Sequence, residues 1–259
     1  MRRVDPQSAL GEALADIVDA AAALVLPLWR SGLKVDRKAD DSPVTEADRR
    51  AETLILTQLQ ALDPGAQVIS EEDASDFGTP EAIGPRFYLV DPVDGTKAFV
   101  RGDEHWTVNI ALIQDGRPVA GAVCAPALGR TWFTAAVGAK ARSVGQPGGT
   151  PIRARPWPAG AAVALVSHTM KPVEEAELRR RHGYAEVRAM DSSVKLCLLA
   201  EGLADIYPRQ GPTMEWDIAA GHAVLAAAGG RVEAPDGAPF LYGKADRGFR
   251  NGPFIARGG

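Results

Sequence analysis

Cysteine is scarce in this chain: there are two in 259 residues, Cys124 and Cys197. Two cysteines make neither a disulfide framework nor a zinc ribbon. Both stand in apolar runs, Ala122-Val123-Cys124-Ala125 and Leu196-Cys197-Leu198-Leu199, so core packing is the expected role and a reducing compartment fits. Long hydrophobic runs are also missing. Ala20 to Leu26 is short, ends at Pro27 and is followed by no small-residue cleavage site, so no secretory leader is expected. Nothing approaches the ~20 apolar residues of a spanning helix. The chain therefore reads as soluble and cytoplasmic, with no integral membrane segment. An excess of positive charge is absent too: 29 basic against 33 acidic residues give a net charge of −4. Nothing would drive the counterion release on which nucleic-acid binding rests, so no nucleic-acid polymer is expected as a partner. No Gly-x-Ser-x-Gly elbow and no Walker loop occurs, no Cys-x5-Arg phosphatase loop is expected, and no covalent nucleophile is expected.

What is present is ordinary globular composition, 46% hydrophobic and 24% charged, on a length that suits one large domain or two closely packed halves. Asp5-Pro6 opens a helix with an acceptor followed by a first-turn proline. Leu10, Leu14, Ile17, Val18, Ala21 and Val25 continue it at helical spacing, and Ser31-Gly32 ends it. A second amphipathic helix is expected from Ala47 to Ala61. Phe87 to Val90 reads as a buried strand that stops at Asp91-Pro92. Val108, Ile110 and Leu112 lie on one face of the next strand, with a hairpin turn at Asp115-Gly116 and further strands at Val119 to Cys124 and Thr131 to Thr134.

Glycine and proline concentrate between residues 145 and 160, which places a boundary there. The division is a helix-and-meander half, 1–145, and an alternating strand–helix half, 160–259, acting as one unit. In the second half the expected strands are Ala161 to Ser167, Ala185 to Ala189, Ala204 to Tyr207 and Phe254 to Ala256. The expected helices are Val173 to Arg181, Ser192 to Glu201 and Trp216 to Ala228.

Chemistry concentrates in four acidic segments. In Asp91-Pro92-Val93-Asp94-Gly95-Thr96 a buried strand ends in two carboxylates with a stiff proline between them, then a glycine that admits close backbone approach and a hydroxyl at a helix start. Carboxylates forced together this way are costly unless a cation or proton compensates, and hard divalent ions favour oxygen ligands. Ser70-Glu71-Glu72 follows the apolar pair Val68-Ile69. Asp48 stands in Val44-Thr45-Glu46-Ala47-Asp48, at a helix start. Trp216-Asp217-Ile218-Ala219-Ala220-Gly221 puts an acid at the head of a helix of small residues. Each segment taken alone is equally a capped loop or helix end.

Together, in this order and approximate spacing, the segments resemble the lithium-sensitive, magnesium-dependent phosphomonoesterases typified by inositol monophosphatase. The resemblance spans about residues 40 to 235. It implies an α/β (α+β) five-layer αβαβα sandwich with the metal site at the junction of the halves, and two or three Mg²⁺ per site. Carried over, Glu71, Asp91 and the Val93 carbonyl would hold the first metal, and Asp91, Asp94 and Asp217 the second. Asp48 and Glu71 would help hold a loosely bound third. Gly95 and Thr96 would receive the scissile phosphate, Thr96 with Glu71 would orient the attacking water, and Glu72 would support.

Gln210 stands where inositol-type members place a glutamate, seven residues before Asp217. Asp191-Ser192-Ser193-Val194-Lys195, read as a helix start opened by Asp191 and Ser192, and Tyr207-Pro208-Arg209, read as a turn, look instead like the bisphosphate nucleotidase branch. That branch removes the 3′-phosphate of adenosine 3′,5′-bisphosphate in bacterial sulfur assimilation, with the sulfated analogue as a further substrate. On this reading Lys195 and Arg209 would meet a second phosphate and His168 an adenine, with Asp191, Ser192 and Asp217 completing the substrate contacts. His105 and His222 are left structural, and Trp216 is a packing anchor. Inositol 1-phosphate, fructose 1,6-bisphosphate and histidinol phosphate are the competing esters. A catalytically silent metal- or nucleotide-binding protein is the competitor from another class. The expected partner is a small phosphate ester, with the chain a monomer or homodimer.

Overall fold

The computed structural model describes residues 6–31, 35–37 and 43–259. Helix α1 (Pro6–Ser31) runs through Pro27 and buries Leu14, Ile17, Val18, Ala21 and Val25, the stripe expected from their spacing. Asp5 and Gly32, its expected boundaries, lie outside the described residues. Strands β1 (Val35–Arg37) and β2 (Pro43–Thr45) form a small antiparallel pair that leads into α2 (Glu46–Leu62).

A seven-stranded sheet follows. Its members are β3 (Gln67–Ser70), β4 (Arg86–Asp94), β5 (Thr107–Gln114), β6 (Arg117–Ala125), β7 (Arg130–Thr134), β8 (Ala139–Ser143) and β9 (Thr150–Ile152), in spatial order 3-4-5-6-7-8-9. The β3–β4 pair is parallel and the rest antiparallel. Short helices α3 (Glu71–Phe77) and α4 (Thr96–Arg101) leave the ends of β3 and β4. The second sheet holds β10 (Val163–Val166), β11 (Glu186–Ala189), β12 (Ile206–Arg209), β14 (Arg231–Glu233) and β16 (Phe254–Arg257), in order 11-10-12-16-14. Helices α5 (Pro172–His182), α6 (Val194–Ala200) and α7 (Glu215–Ala227) complete it. Strands β13 (Thr213–Met214) and β15 (Arg250–Asn251) pair as a two-residue ribbon in front of α7.

The layers follow from which residues share a core. Val108, Ile110 and Leu112 of β5 pack with α1 and α2, whereas the alternate residues Ala111 and Ile113 pack with α6 and α7. The second sheet closes over α6 and α7 with Leu165, Tyr207 and Phe254, and its far face packs Ala164 and Ile206 against Leu178 of α5. The result is the five-layer αβαβα sandwich. Cys124 and Cys197 are free and fully buried, in the cores on opposite faces of the first sheet.

Helix α7 is the middle layer and is apolar nearly all round, as a helix buried between sheets must be. Its small residues permit the approach. A Cβ on Gly121 of β6 would stand 2.9 Å from the Ala223 Cβ and 3.0 Å from the Ala220 carbonyl oxygen. A Cβ on Gly221 would stand 2.8 Å from the Leu196 Cβ of α6.

Four local expectations need correction. Strand β4 does not stop at Asp91 but runs on to Asp94, with Pro92 accommodated at a shift of register against β5. Tyr207-Pro208-Arg209 is not a turn; it lies in β12, paired antiparallel with β16. Helix α6 begins at Val194 behind Ser193, and Ser192 is left-handed (φ 56°), so Asp191 and Ser192 do not open it. The glycine- and proline-rich stretch contains β9, an edge strand of the first sheet, where only connection was expected.

Gly121→Ala is expected to destabilise by about 1–3 kcal/mol through overpacking against rigid helix atoms. At roughly 2–4 °C per kcal/mol for a chain of this size, thermal denaturation will read the loss. Gly252→Ala, where an added Cβ meets nothing within 4 Å, serves as the control. Equal midpoints for the two variants would contradict the close approach.

Candidate metal and phosphate site

A cleft of about 1070 Å³ opens where β3, β4 and β12 end and where α3, α4, α6 and α7 begin. Glu71, Asp91, Asp94, Gly95, Thr96 and Asp217 all line it. Carboxylate oxygens of Glu71, Asp91 and Asp217 lie within 4.8 Å of one another. These residues are 126 positions apart between Asp91 and Asp217 in sequence, yet the fold puts them in shared coordination reach.

The register shift in β4 explains part of this. Residues three apart on a regular strand face opposite sides. Asp91 pairs with Asn109 and Asp94 with Thr107, with the irregularity between them, so both carboxylates reach the same cleft. Asp94 is fixed there by the Ser193 amide, which donates to it over 2.6 Å, and by the Thr107 hydroxyl at 3.3 Å. Asp91 accepts from the Val93 amide at 3.1 Å, and Asp217 accepts from the Met214 amide at 2.8 Å as the first turn of α7 closes. Glu71 is the first residue of α3, immediately after β3.

The electrostatics mark the cluster as a place for a cation. Burial pushes the Asp91 carboxyl well above the usual carboxylate range, and the charges of Glu71, Asp94, Asp217 and Asp48 push it further. Burial, then the charges of Asp94 and Glu71, raise Asp217 in the same way. Asp94 is raised to about 6 by burial, with the Lys195 ammonium and the Ser193 amide opposing. The other four carboxylates singled out from the sequence thus all bear on Asp91 across the fold. Asp48, in the first turn of α2, and Val93 are both buried and do not line the cleft itself. The donor set is all carboxylate and carbonyl oxygen, which fits Mg²⁺ or another hard divalent ion better than a soft metal.

Beside the acids, Gly95 adopts a left-handed conformation (φ 87°) with the His105 carbonyl 3.2 Å from where a Cβ would stand. Only glycine fits that turn. It is followed by Thr96, whose hydroxyl donates to the Val93 carbonyl at 3.1 Å.

The residues expected to recognise the rest of a substrate behave less uniformly. Asp191, Ser192, Lys195, Arg209 and His168 all line the cleft. Lys195, expected as an accessible point charge, is buried instead. Its ammonium donates to the Met190 and Ser192 carbonyls at 3.1 and 2.6 Å and lies 5.0 Å from the Tyr207 ring centre. Burial lowers it to about 8, against the attraction of Asp94 and Asp191. It serves as a counter-charge to the acids. Arg209 spends part of its fork on the Gly211 and Pro212 carbonyls. Asp191 is paired with Arg101 at 2.7 Å and stands 4.0 Å from His168.

His105 is held by Asp103 at 2.9 Å, and His222 by the Tyr242 hydroxyl at 2.9 Å, as structural histidines are. Trp216 is buried 6.3 Å from the Phe249 ring, a packing anchor.

Sequence reasoning erred on one feature, the expected lack of a Cys-x5-Arg spacing, and passed over another. The spacing from Cys124 to Arg130 is that of a Cys-x5-Arg phosphatase loop. Here Cys124 is fully buried in β6, its thiol pushed up by burial, and Arg130 is paired with Glu201 on another face. It is not a nucleophile. Glu52 was missed outright. Its buried carboxylate accepts from the Ser70 hydroxyl and from the Asp73 amide at 3.2 Å, tying α2 to the start of α3 and so setting Glu71. The signal was available: Glu52 lies one helical turn after Asp48, on the same face.

The profile of the Inositol monophosphatase family matches residues 7–253. The 3′(2′),5′-bisphosphate nucleotidase CysQ of Salmonella typhimurium is 39% identical over 233 residues, covering 90% of this chain and 89% of that one. The protein of the same name from Escherichia coli K12 is 41% identical over 211 residues, covering 81% and 83%. The crystal structure of CysQ from Bacteroides thetaiotaomicron, described as a bacterial member of the inositol monophosphatase family, superposes with a TM-score of 0.80 at 33% identity, covering 97% of each chain. The chain belongs to the inositol monophosphatase family.

Proposed function

We propose that the protein is a cytoplasmic, Mg²⁺-dependent phosphomonoesterase that removes the 3′-phosphate of adenosine 3′,5′-bisphosphate, giving AMP and phosphate. The observation that carries the reaction class is the meeting of Glu71, Asp91 and Asp217 within 4.8 Å, under electrostatic strain that a divalent cation relieves. The substrate follows from relatives named as bisphosphate nucleotidases at 39–41% identity over most of the chain. Cations in the same cleft agree with a doubly phosphorylated ligand.

Glu71, Asp91 and the Val93 carbonyl would hold one Mg²⁺, Asp91, Asp94 and Asp217 a second, and Asp48 with Glu71 a third. When bound, the ions neutralise phosphoryl oxygens and acidify the attacking water. The Val93 carbonyl, which already accepts from Thr96, keeps a second lone pair. Gly95 lets the backbone approach the scissile phosphate, and the Thr96 hydroxyl, with Glu71, orients the water. Lys195 balances the charge of Asp94 and Asp217. Ser192, Asp191, Arg209 and His168 contact the nucleotide. Transfer goes directly to water, since phosphoryl transfer rests on positioning and charge stabilisation and requires no covalent nucleophile.

In a phosphate-release panel, adenosine 3′,5′-bisphosphate is expected to outpace inositol 1-phosphate, fructose 1,6-bisphosphate and histidinol phosphate. A faster rate on any of the other three overturns the substrate. Asp91→Asn is expected to lower kcat by about a thousandfold or more, because a shared ligand of two ions supplies several kcal/mol of charge stabilisation. Undiminished turnover would contradict the assignment.

The metal-free protein should also respond to pH in a defined way. Asp91, Asp94 and Asp217 hold protons in the folded state that the unfolded chain releases near its ordinary carboxylate value of 3.8. Between there and about 6, the raised value of Asp94, the unfolded state binds fewer protons. The contribution of these groups to stability therefore falls as pH rises through that window. Millimolar Mg²⁺ is expected to raise Tm clearly at about pH 8 and little at about pH 4.5, since the ion needs deprotonated ligands. An equal shift at both would count against these carboxylates as the ligands.

A further inference from the structure

The cleft holds one arginine that neither the family motifs nor the reading above employs. Arg250, on β15, lines the same cleft as the acidic cluster and is exposed. The other arginines there are engaged: Arg101 by Asp191 at 2.7 Å, and Arg209 by the Gly211 and Pro212 carbonyls. Lys195 is buried against two carbonyls. Lys97, in α4, directly follows the Gly95-Thr96 pair that takes the scissile phosphate. Arg250 makes no ion pair or hydrogen bond through its guanidinium among the described residues.

Its backbone, by contrast, is held with unusual firmness. Arg250 pairs with Met214 in the β13–β15 ribbon, three residues before Asp217. Next to it, Asn251 is buried and donates from Nδ2 to the Met214 carbonyl at 2.9 Å and the Thr213 hydroxyl at 3.3 Å. The Lys244 ammonium donates to Asn251 Oδ1 at 3.2 Å and to Glu215 Oε1 at 3.0 Å. Glu215, fully buried at the head of α7, also accepts from the Gly243 and Lys244 amides at 2.8 and 3.1 Å. On the other side of Arg250, Phe249 is fully buried and held left-handed (φ 59°), a conformation a bulky residue adopts only when its surroundings impose it. Backbone strain of this kind gathers at ligand-binding positions. The fold thus spends a half-buried ion pair and a strained aromatic on fixing the segment, and leaves the charged group of Arg250 free at the cleft.

We infer that Arg250 is a specificity-determining residue: its guanidinium binds a second anionic group of the substrate, the phosphate that is not hydrolysed. The planar fork suits two oxygens of a phosphate. Because Arg250 and Asp217 are carried by the same ribbon and helix start, the distance between the two phosphate sites is set by a rigid element. The site then favours esters with a second phosphate at that separation. This assignment rests on the bisphosphate reading above.

The test is steady-state kinetics of the Mg²⁺-loaded enzyme on adenosine 3′,5′-bisphosphate and on adenosine 3′-monophosphate, for wild type, Arg250→Ala and Arg250→Lys. Wild type is expected to prefer the bisphosphate. In Arg250→Ala the ratio of the two kcat/KM values is expected to fall tenfold or more, through KM for the bisphosphate, with Arg250→Lys between. Both variants should keep the wild-type Tm, since the side chain is exposed. A wild-type preference that Arg250→Ala retains overturns the assignment and leaves the bisphosphate reading standing. So does an equal loss on both substrates. A wild type without preference overturns the bisphosphate reading and this assignment with it.

Discussion

Repulsion between buried carboxylates is the constraint on which the rest of this structure depends. Asp91 is almost wholly out of water, and four other acids bear on it. Left to itself such a cluster would drift apart or take up protons, because desolvation and like charge both disfavour the ionised form. The fold prevents the first by anchoring each acid elsewhere. Asp94 is gripped by Ser193 of the α6 entry and by Thr107 of β5. Asp217 is locked into the first turn of α7, whose head is clamped through Glu215. Glu71 follows Ser70, which is bonded to Glu52 of α2. The free energy that holds the acids together therefore comes from the packing of the layers, and the cluster returns it as affinity for a cation.

That dependence makes the middle layer more than filling. Asp217 reaches Glu71 and Asp91 because α7 lies close against the first sheet, and it lies close because Gly121, Ala220 and Ala223 leave nothing larger than a methyl group between them. The second sheet then covers α6 and α7 and brings β12 and Lys195 to the same opening. Chemistry and stability share elements here. A residue such as Gly121 affects the acids through the position of a helix it never joins covalently.

The sequence made the acids and the layers legible for different reasons. Helix stripes such as Leu14, Ile17, Val18, Ala21 and Val25 are local patterns, and one face of one helix buries them. The Asp91 to Thr96 segment is legible because proline, glycine and paired acids in six residues have few other uses. What stayed hidden is set by distant partners. Lys195 looks like a solvated cation until Tyr207 and two carbonyls enclose it. Tyr207-Pro208-Arg209 reads as a turn until β16 supplies its pairing strand. Asp191 reads as a helix cap until Arg101, from the other half of the chain, takes its carboxylate. In each case the local signal was real, and a long-range contact outweighed it.

The two kinds of charge in the cleft also divide its work. The acids sit at the end of β4 and in the first turns of α2, α3 and α7, deep and mutually repelling, where a hard cation is the natural occupant. The arginines sit nearer the rim, on α4, β12 and β15, and can meet an anion without crossing the acidic nest. The two signs of charge are thus separated in space, with a cation suited to the floor and an anion to the rim. The rim arginines and the acids are thus carried by different strands, β12 and β15 against β4.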